Sequence, residues 1–470
     1  MYKQNEKNKH LCTYDNTFKR SNVISELKDD YNNKILNKTY KICGRIFRKR
    51  IMGKATFLEL KDISSNIQLF LSEKTLNNYI DLTKYLSLGD IIGVEGYLFE
   101  TQTKELSLKV NQLTILSKNI NPFPDKRFGL SDKEIRYRNR YLDLIINDET
   151  KNLFILRSKI ISDIRNFFIK KNYIEVETPT IQCITGGADA KPFETYHNYM
   201  DEKLYLRISP ELNLKKLIVG GLEKVFEIGK NFRNENVSNR HHPEFTTIEF
   251  YEAYSNYKDL IKLTEDLFNT LALSLFNSSQ FIDENNQTHD FSKEFEKINF
   301  HDAIIKKTSL SENEINNKTI IKDILKKENI FFDDSTHLSK LQAKIFEHFV
   351  EKQLLKPTFV LHHPVEISPL SRQCDDNKNV VERFELYVNG KELANGFSEL
   401  NDPIEQEKRF IEQIKNKNLN IQYDHDYINA LKYALAPTAG EGIGIDRLIM
   451  LFTKSTSIKD VILFPLMKNK

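Results

Sequence analysis

Two runs of strict alternation, separated by a loop of charge, constrain this chain more than any other feature. In residues 225–233, VFEIGKNFR, Phe226, Ile228 and Phe232 fall on one side of an extended backbone, and Glu227, Gly229, Asn231 and Arg233 on the other. In residues 244–254, EFTTIEFYEAY, Ile248 and Phe250 oppose Phe245, Thr247, Glu249 and Tyr251. The pattern predicts two antiparallel strands with an apolar back and a shared front bearing Arg233, Glu249 and Tyr251. The loop between them carries Glu235, Arg240 and His241. A half-buried front of mixed charge is costly unless ligands or partners satisfy it. Arg233 can fork onto a phosphate or carboxylate, Phe245 offers a stacking face, and Glu249 can pair with a cation. An ion-pair network within the sheet accounts for the hairpin equally well.

The rest of the chain divides around this hairpin. Residues 1–30 are polar and weakly patterned and read as a tail. Over 31–120, glycines and polar turns separate five alternating runs: YKICGRIFRKRI, TFLELKDI, NIQLFL, DIIGVEGYLFE and LSLKVNQLTIL. They predict a small five-stranded barrel. A proline- and charge-rich stretch makes 121–132 a linker, and 133–470 a second domain. That domain opens on an amphipathic helix with Leu153, Leu156, Ile160, Ile164, Phe167 and Phe168 at helical spacing, feeding a strand that ends at Pro179. The lysine- and asparagine-rich segment 260–351 reads as a surface insertion of helices and loops. Strands return after it, with a helix beginning near Asp446. The expected class is α+β, an antiparallel sheet flanked by helices.

Composition excludes more than it suggests. The net charge of +3 does not announce a nucleic-acid binder. Cys12, Cys43, Cys183 and Cys374 form no CxxC pair, which argues against structural zinc or a disulfide framework and for a reducing compartment. No signal peptide and no apolar run of membrane-spanning length is evident, so a cytoplasmic chain with no membrane partner is expected.

Two later stretches bear on chemistry. In TAGEGIGIDRLIMLF, glycines precede a strand–helix junction with Arg447 at the helix start. Close backbone approach and an arginine there suit a nucleotide anion or an adenine face. In RFELYVNGKELANGFSELND, Glu385 and Glu392 stand seven apart, followed by Asn395, Phe397 and Glu399. Paired carboxylates suit a magnesium clamp on a nucleoside triphosphate, and a solvated hairpin edge suits them as well.

In combination these motifs resemble the class II aminoacyl-tRNA synthetases. EVETPTI, FRNE with RHHPEFT, and GIGIDR are similar to the three class II motifs, in order. ITGGADAKPF, YLRISPEL, ANGFSELND and APTAGEGIGIDR most resemble the lysyl-tRNA synthetases of bacterial type, in subclass IIb, and the likeness runs from about Gly44 to Met467. The resemblance implies an N-terminal OB-fold anticodon-binding barrel and a class II catalytic domain, paired as a homodimer through the first motif. It implies activation of L-lysine with ATP and Mg2+, then transfer of lysine to the 3′ end of tRNA(Lys); no zinc is expected. By position, Arg233 holds the α-phosphate and the amino-acid carboxylate, Glu235 and His241 contact ATP, and Phe245 and Arg447 sandwich the adenine. Arg233 and Arg447 are the implied catalytic residues, and Glu385 and Glu392 the implied magnesium ligands. Gly187 and Glu211 partner the α-amino group and Asn395 the carboxylate. Glu249, Tyr251 and Glu399 receive the ε-ammonium, with Phe397 in the same lysine-binding set. In the barrel, Phe57 and Gln68 stack on and read the anticodon, with Arg50 and Glu105 as further contacts; on alternation alone Phe57 reads as barrel core. The segment before the barrel lacks the basic helical extension common in the family, and Thr185 and Ala436 stand where prolines are common. An aspartyl- or asparaginyl-tRNA synthetase shares the barrel and motifs, but an aspartate pocket needs a cation where this chain has acids. A catalytically silent RNA-binding paralogue is opposed by intact Arg233, Glu235, Glu392 and Arg447.

Overall fold

The computed structural model describes residues 14, 16–35, 38–124, 132–417 and 423–468 and divides the chain into two units, Met1–Gly129 and Leu130–Lys470. Most of the expected linker lies outside the described residues, as does the start of the expected tail. Among the described residues no helix is long and apolar enough to cross a membrane.

In the first unit, α1 (Ile24–Asn32) precedes β1 (Thr39–Met52), β2 (Ala55–Lys61) and β3 (Asn66–Ser72). Then come α2 (Tyr79–Tyr85), β4 (Ile91–Glu100) and β5 (Leu106–Ser117). The five strands close as β1-β2-β3-β5-β4, the barrel that alternation predicted. Closure buries Ile42, Ile46, Leu58, Leu60, Leu69, Val94 and Val110 in one core. The expected tail is corrected at its end: α1 is ordered and sends Ile24 and Leu27 into that core. Two apolar residues in a polar stretch are too few to show as a periodicity. The core reading of Phe57 is also corrected. Thr56, Leu58 and Leu60 face inward, the Thr56 hydroxyl satisfied by Tyr79 at 2.7 Å, which turns Phe57 outward. There it packs against Phe70 at 5.3 Å, and Phe70 against Phe99 at 5.6 Å. Register aligns Arg50, Phe57 and Phe70 in one outer row, with Glu59, Gln68 and Ser107 in the next. Glu105 is exposed at the start of β5.

The second unit begins with α3 (Lys133–Arg138), α4 (Arg140–Ile146), α5 (Asp148–Lys170) and β6 (Ile174–Glu175). A small sheet of β7 (Ile181–Gln182), β8 (Glu194–His197) and β9 (Glu202–Leu206) leads to α6 (Glu211–Val219). The hairpin is β10 (Lys224–Phe232) and β11 (Glu244–Ala253). Next come α7 (Tyr257–Phe276), β12 (Gln280–Ile282), β13 (Thr288–Asp290) and β14 (Glu296–Asn299). Helices α8 (Phe300–Thr308), α9 (Glu312–Ile315), α10 (Lys318–Lys327) and α11 (Leu338–Ile345) precede β15 (Thr358–Leu361). The unit closes with β16 (Arg383–Val388), β17 (Lys391–Ser398), α12 (Pro403–Lys417), α13 (His425–Leu431), β18 (Thr438–Gly444), α14 (Ile445–Thr453) and α15 (Ile458–Val461).

One eight-stranded sheet, β14-β15-β16-β17-β18-β11-β10-β6, organises this unit. Its interior pairs are antiparallel, as expected, but β14 with β15 and β6 with β10 are parallel. Each parallel pair is joined by a crossover containing helices, which parallel pairing requires. Directly opposed residues share a face, so register sets two rows across the front: Glu227, Glu249, Gly442, Asn395 and Glu385, then Tyr251, Gly440, Phe397 and Arg383. The back carries Phe226, Ile248, Phe250, Ile443 and Phe384 into a core shared with α5, α7 and α14. The apolar stripe of α5 is spent there, with Phe168 against Phe226 and Phe250 at 5.4 and 4.5 Å.

The surface-insertion reading of 260–351 is likewise corrected. Leu260, Ile261, Leu267, Phe268 and Leu271 of α7 belong to the main core, and β14 extends the main sheet. Helices α8, α9, α10 and α11 gather a satellite core around Phe300, Ile304, Ile321 and Leu341. A lysine- and asparagine-rich composition conceals helices whose inner faces are largely apolar.

Glu441 faces this apolar back, with the Thr264 hydroxyl 2.8 and 2.7 Å from its two oxygens. Burial pushes its carboxyl up to about 8. A folded-state value above the unfolded one makes the folded chain hold the extra proton, so stability falls as pH rises from the ordinary carboxylate range through about 8. Glu441→Gln keeps an acceptor for Thr264 and removes the titration. Urea midpoints between pH 6 and 9 are expected to fall less steeply for the variant, and identical slopes would contradict the assignment.

Candidate active site

A cleft of about 1480 Å³ opens over the front of the eight-stranded sheet, and the two register rows form its floor. Gly440 and Gly442 stand in the middle of those rows. A Cβ on Gly440 would overlap the Tyr251 ring and the Glu399 carboxylate, so only glycine leaves this floor open.

The buried end of the site is acidic. Glu249 is almost fully buried, with the Ser209 hydroxyl at 3.1–3.2 Å and the Asn231 amide and Tyr251 hydroxyl each at 3.5 Å. Burial, then the charge of Glu211, pushes its carboxyl up to about 8. Glu211 opens α6, its backbone N–H donating to Ser209 Oγ at 3.1 Å. Gly187 adopts a left-handed φ of 84°, and a Cβ there would lie 3.1 Å from the side chains of Glu211 and Ser209. Tyr251 and Phe397 are buried alongside. Glu399 is buried too, and burial raises its carboxyl well above the ordinary range despite an ion pair to Lys215.

The other end is cationic. Arg233 leaves β10 half-buried, its guanidinium 5.1 Å from the Phe245 ring, and its buried Nε has no hydrogen-bond partner among the described residues. Arg447, in the first turn of α14, donates to the Glu392 carbonyl at 2.9 Å and lies 3.1 Å from His241 Nε2. Desolvation and then the Arg447 charge lower the His241 pKa, so the ring is neutral at pH 7. Glu235 is exposed at the loop. Glu385 is held by Arg383 at 2.6 Å and Tyr387 at 2.7 Å, and Arg383 also reaches Asn395 at 2.9 Å. The predicted residues of this unit therefore converge on one cleft, with Glu399 set back behind Gly440.

Several residues of the site escaped the sequence reading. Ser209 and Asn231 hold Glu249, and Lys215 joins Glu211 to Glu399. Asp446 ties three segments together: it accepts from Arg157 of α5 at 2.6 Å and from the Thr246 amide of β11 at 2.7 Å. Lys215 had one visible signal, its position one helical turn after Glu211 among apolar neighbours.

Comparison with known proteins adds an independent finding. Residues 132–468 match the family described as tRNA synthetases class II (D, K and N), and residues 40–116 match the OB-fold nucleic acid binding domain. The chain is 49% identical to the lysine–tRNA ligase of Wigglesworthia glossinidia brevipalpis over 482 residues, 99% of this chain and 97% of that protein. It is 50% identical over 456 residues to the lysine–tRNA ligase of Vesicomyosocius okutanii, covering 95% and 92%. With the lysine–tRNA ligase of Buchnera aphidicola from Acyrthosiphon pisum it shares 47% over 469 residues, covering 97% and 92%.

Proposed function

The chain belongs to the class II tRNA synthetases, among the lysine–tRNA ligases, and from that premise we propose how its residues divide the work. The enzyme joins L-lysine to the AMP portion of ATP, releasing pyrophosphate, and then passes lysine to the 3′ end of tRNA(Lys). The observation that carries the choice of lysine is the buried acidic end, where Glu211, Glu249 and Glu399 gather around Tyr251. That is the chemistry of an ammonium partner; an aspartate side chain would meet carboxylates there.

The substrate supplies the nucleophile. A carboxylate oxygen of lysine attacks the α-phosphorus, the bond to the bridging oxygen breaks, and pyrophosphate leaves. Arg233 forks between the two reacting groups, while Asn395 steadies the carboxylate. Phe245 and Arg447 enclose the adenine, and neutral His241 and Glu235 bond the nucleotide. In the second step a hydroxyl of the terminal ribose attacks the carbonyl carbon and AMP departs. Positioning and charge stabilisation therefore provide the catalysis, with no side-chain nucleophile. Glu385 and Glu392 lie across the β16–β17 hairpin as oxygen donors on the cleft, and that donor set fits magnesium completed by phosphate and water. When bound, the ion neutralises phosphate charge.

The first unit reads the anticodon through Arg50 and Phe57 of one outer row, Gln68 of the next, and exposed Glu105 at the start of β5. Phe57→Ala is expected to leave pyrophosphate exchange and thermal unfolding nearly unchanged, because the ring is outside the barrel core. Loss of one stack should weaken tRNA binding by roughly 1–3 kcal/mol, read by filter binding. An early-melting barrel would contradict this.

The enzyme works as a homodimer. Support comes from apolar side chains left exposed after the α5 stripe is buried: Ile155, Ile169, Ile174 and Ile181. Sedimentation at micromolar concentration should give twice the chain mass, and a fully active monomer would refute the pairing. The direct test of function is charging: a tRNA(Lys) transcript should accept labelled lysine and reject labelled aspartate.

A further inference from the structure

One wall of the cleft carries charge that the reaction described above does not use. On α11 and the π-helical turn that continues it (Phe346–Val350), Lys340, Ala343, Lys344 and Glu347 all line the cleft. Their spacing of three, four and seven residues makes one helical stripe. Leu341 and Ile345 on the other side of α11 are fully buried in the satellite core, so packing fixes which face meets the cleft. Two contacts between distant segments hold the stripe in place. Ser339 Oγ donates to Glu366 Oε2 at 2.8 Å, and Arg240 of the hairpin loop pairs with Glu351, just past the turn, at 2.8 Å. Lys340 and Lys344 are half-buried, and among the described residues neither ammonium has a hydrogen bond or an ion pair.

We propose that Lys340 and Lys344 form a docking surface for the backbone phosphates of the single-stranded 3′ end of tRNA, guiding its terminal ribose towards the adenylate. Charge favours this partner. Two like charges four residues apart on a helix repel each other, and a polyanion relieves both at once. The triphosphate is already provided for by Arg233 and Arg447, with Glu385 and Glu392 for the metal, so the first step leaves these lysines idle.

The second step supplies the missing anion, because it brings phosphodiesters into the same cleft. At about 1480 Å³ that cleft exceeds the roughly 300–1,000 Å³ of a small-molecule pocket, which leaves room for more than ATP and an amino acid. Lysine suits such a task. Its compact charge on a flexible stem holds a phosphate without reading a base, so the contact positions the strand and adds no sequence preference. The inference therefore concerns the transfer step alone and is independent of which amino acid the cleft selects.

Filter binding of a tRNA(Lys) transcript to the full chain over a salt series, with no amino acid present, tests the surface. Lys340→Ala/Lys344→Ala should weaken binding about tenfold, the order expected of two half-exposed ion pairs. The slope of log affinity against log salt should flatten by about 1.4, at about 0.7 for each single-strand phosphate released. Lys340→Arg/Lys344→Arg, which keeps both charges, should restore affinity and slope. A transcript lacking its unpaired 3′ nucleotides should bind parent and alanine variant alike, which places the lost contacts at that end. Lysine-dependent pyrophosphate exchange, which needs no tRNA, should stay at the parental level. An unchanged salt slope overturns the inference, as does a shortened transcript that still separates the two chains. A raised KM for ATP in exchange assigns the lysines to the triphosphate and overturns it equally. Should the alanine pair fail to fold, Lys340→Gln/Lys344→Gln, which keeps most of each stem, is read in the same way.

Discussion

Arg233→Ala lowers lysine-dependent ATP–pyrophosphate exchange about a hundred- to a thousand-fold, the loss typical of a removed transition-state donor, and leaves unfolding essentially unchanged. Both halves of that expectation come from the same geometry. The guanidinium packs over Phe245, and its buried Nε has no hydrogen-bond partner among the described residues, so truncation costs no such bond of that nitrogen there. The fork's use lies in the cleft, where attacking carboxylate and α-phosphate must be held together while charge develops. Arg233→Lys keeps the charge but not the two-pronged shape, and should recover little of the rate. Exchange within tenfold of the parent for Arg233→Ala would mean that another group meets the phosphate.

Asp446→Ala acts on the opposite side of the ledger, on stability. The carboxylate is buried and satisfies Arg157 at 2.6 Å and the Thr246 amide at 2.7 Å. Truncation leaves a largely buried guanidinium and a buried N–H without their acceptor, a loss of about 3–5 kcal/mol. Because Arg157 comes from α5, Thr246 from the hairpin and Asp446 from α14, one change loosens all three supports of the cleft. Urea unfolding should show a lowered midpoint, and the double variant Arg157→Ala/Asp446→Ala should cost less than the sum of the singles. Strict additivity would show that the pair is not coupled.

The sequence carried the hairpin well because one periodicity governed it. Alternation put Glu249 and Tyr251 on the front and Ile248 and Phe250 on the back, and the sheet has them there. The five barrel strands were legible for the same reason. What failed was composition used as a proxy for burial. The segment from Leu260 onward is rich in lysine and asparagine on its outer faces, which hid α7 as a core helix. Ile24 and Leu27 were lost in a polar stretch, and alternation alone read Phe57 as barrel core where Thr56 takes the inward position. Within the site, residue types named the charged groups facing the cleft, but not their supports. Ser209, Asn231 and Lys215 act through contacts between segments far apart in the chain, which local pattern does not encode.

The central claim is that the acidic end of this cleft selects lysine. Amino-acid-dependent ATP–pyrophosphate exchange, run with lysine, aspartate and asparagine in parallel and without tRNA, tests it most directly. The account predicts exchange with lysine and none above background with the other two. Exchange supported by aspartate or asparagine, or by none of the three, would contradict it.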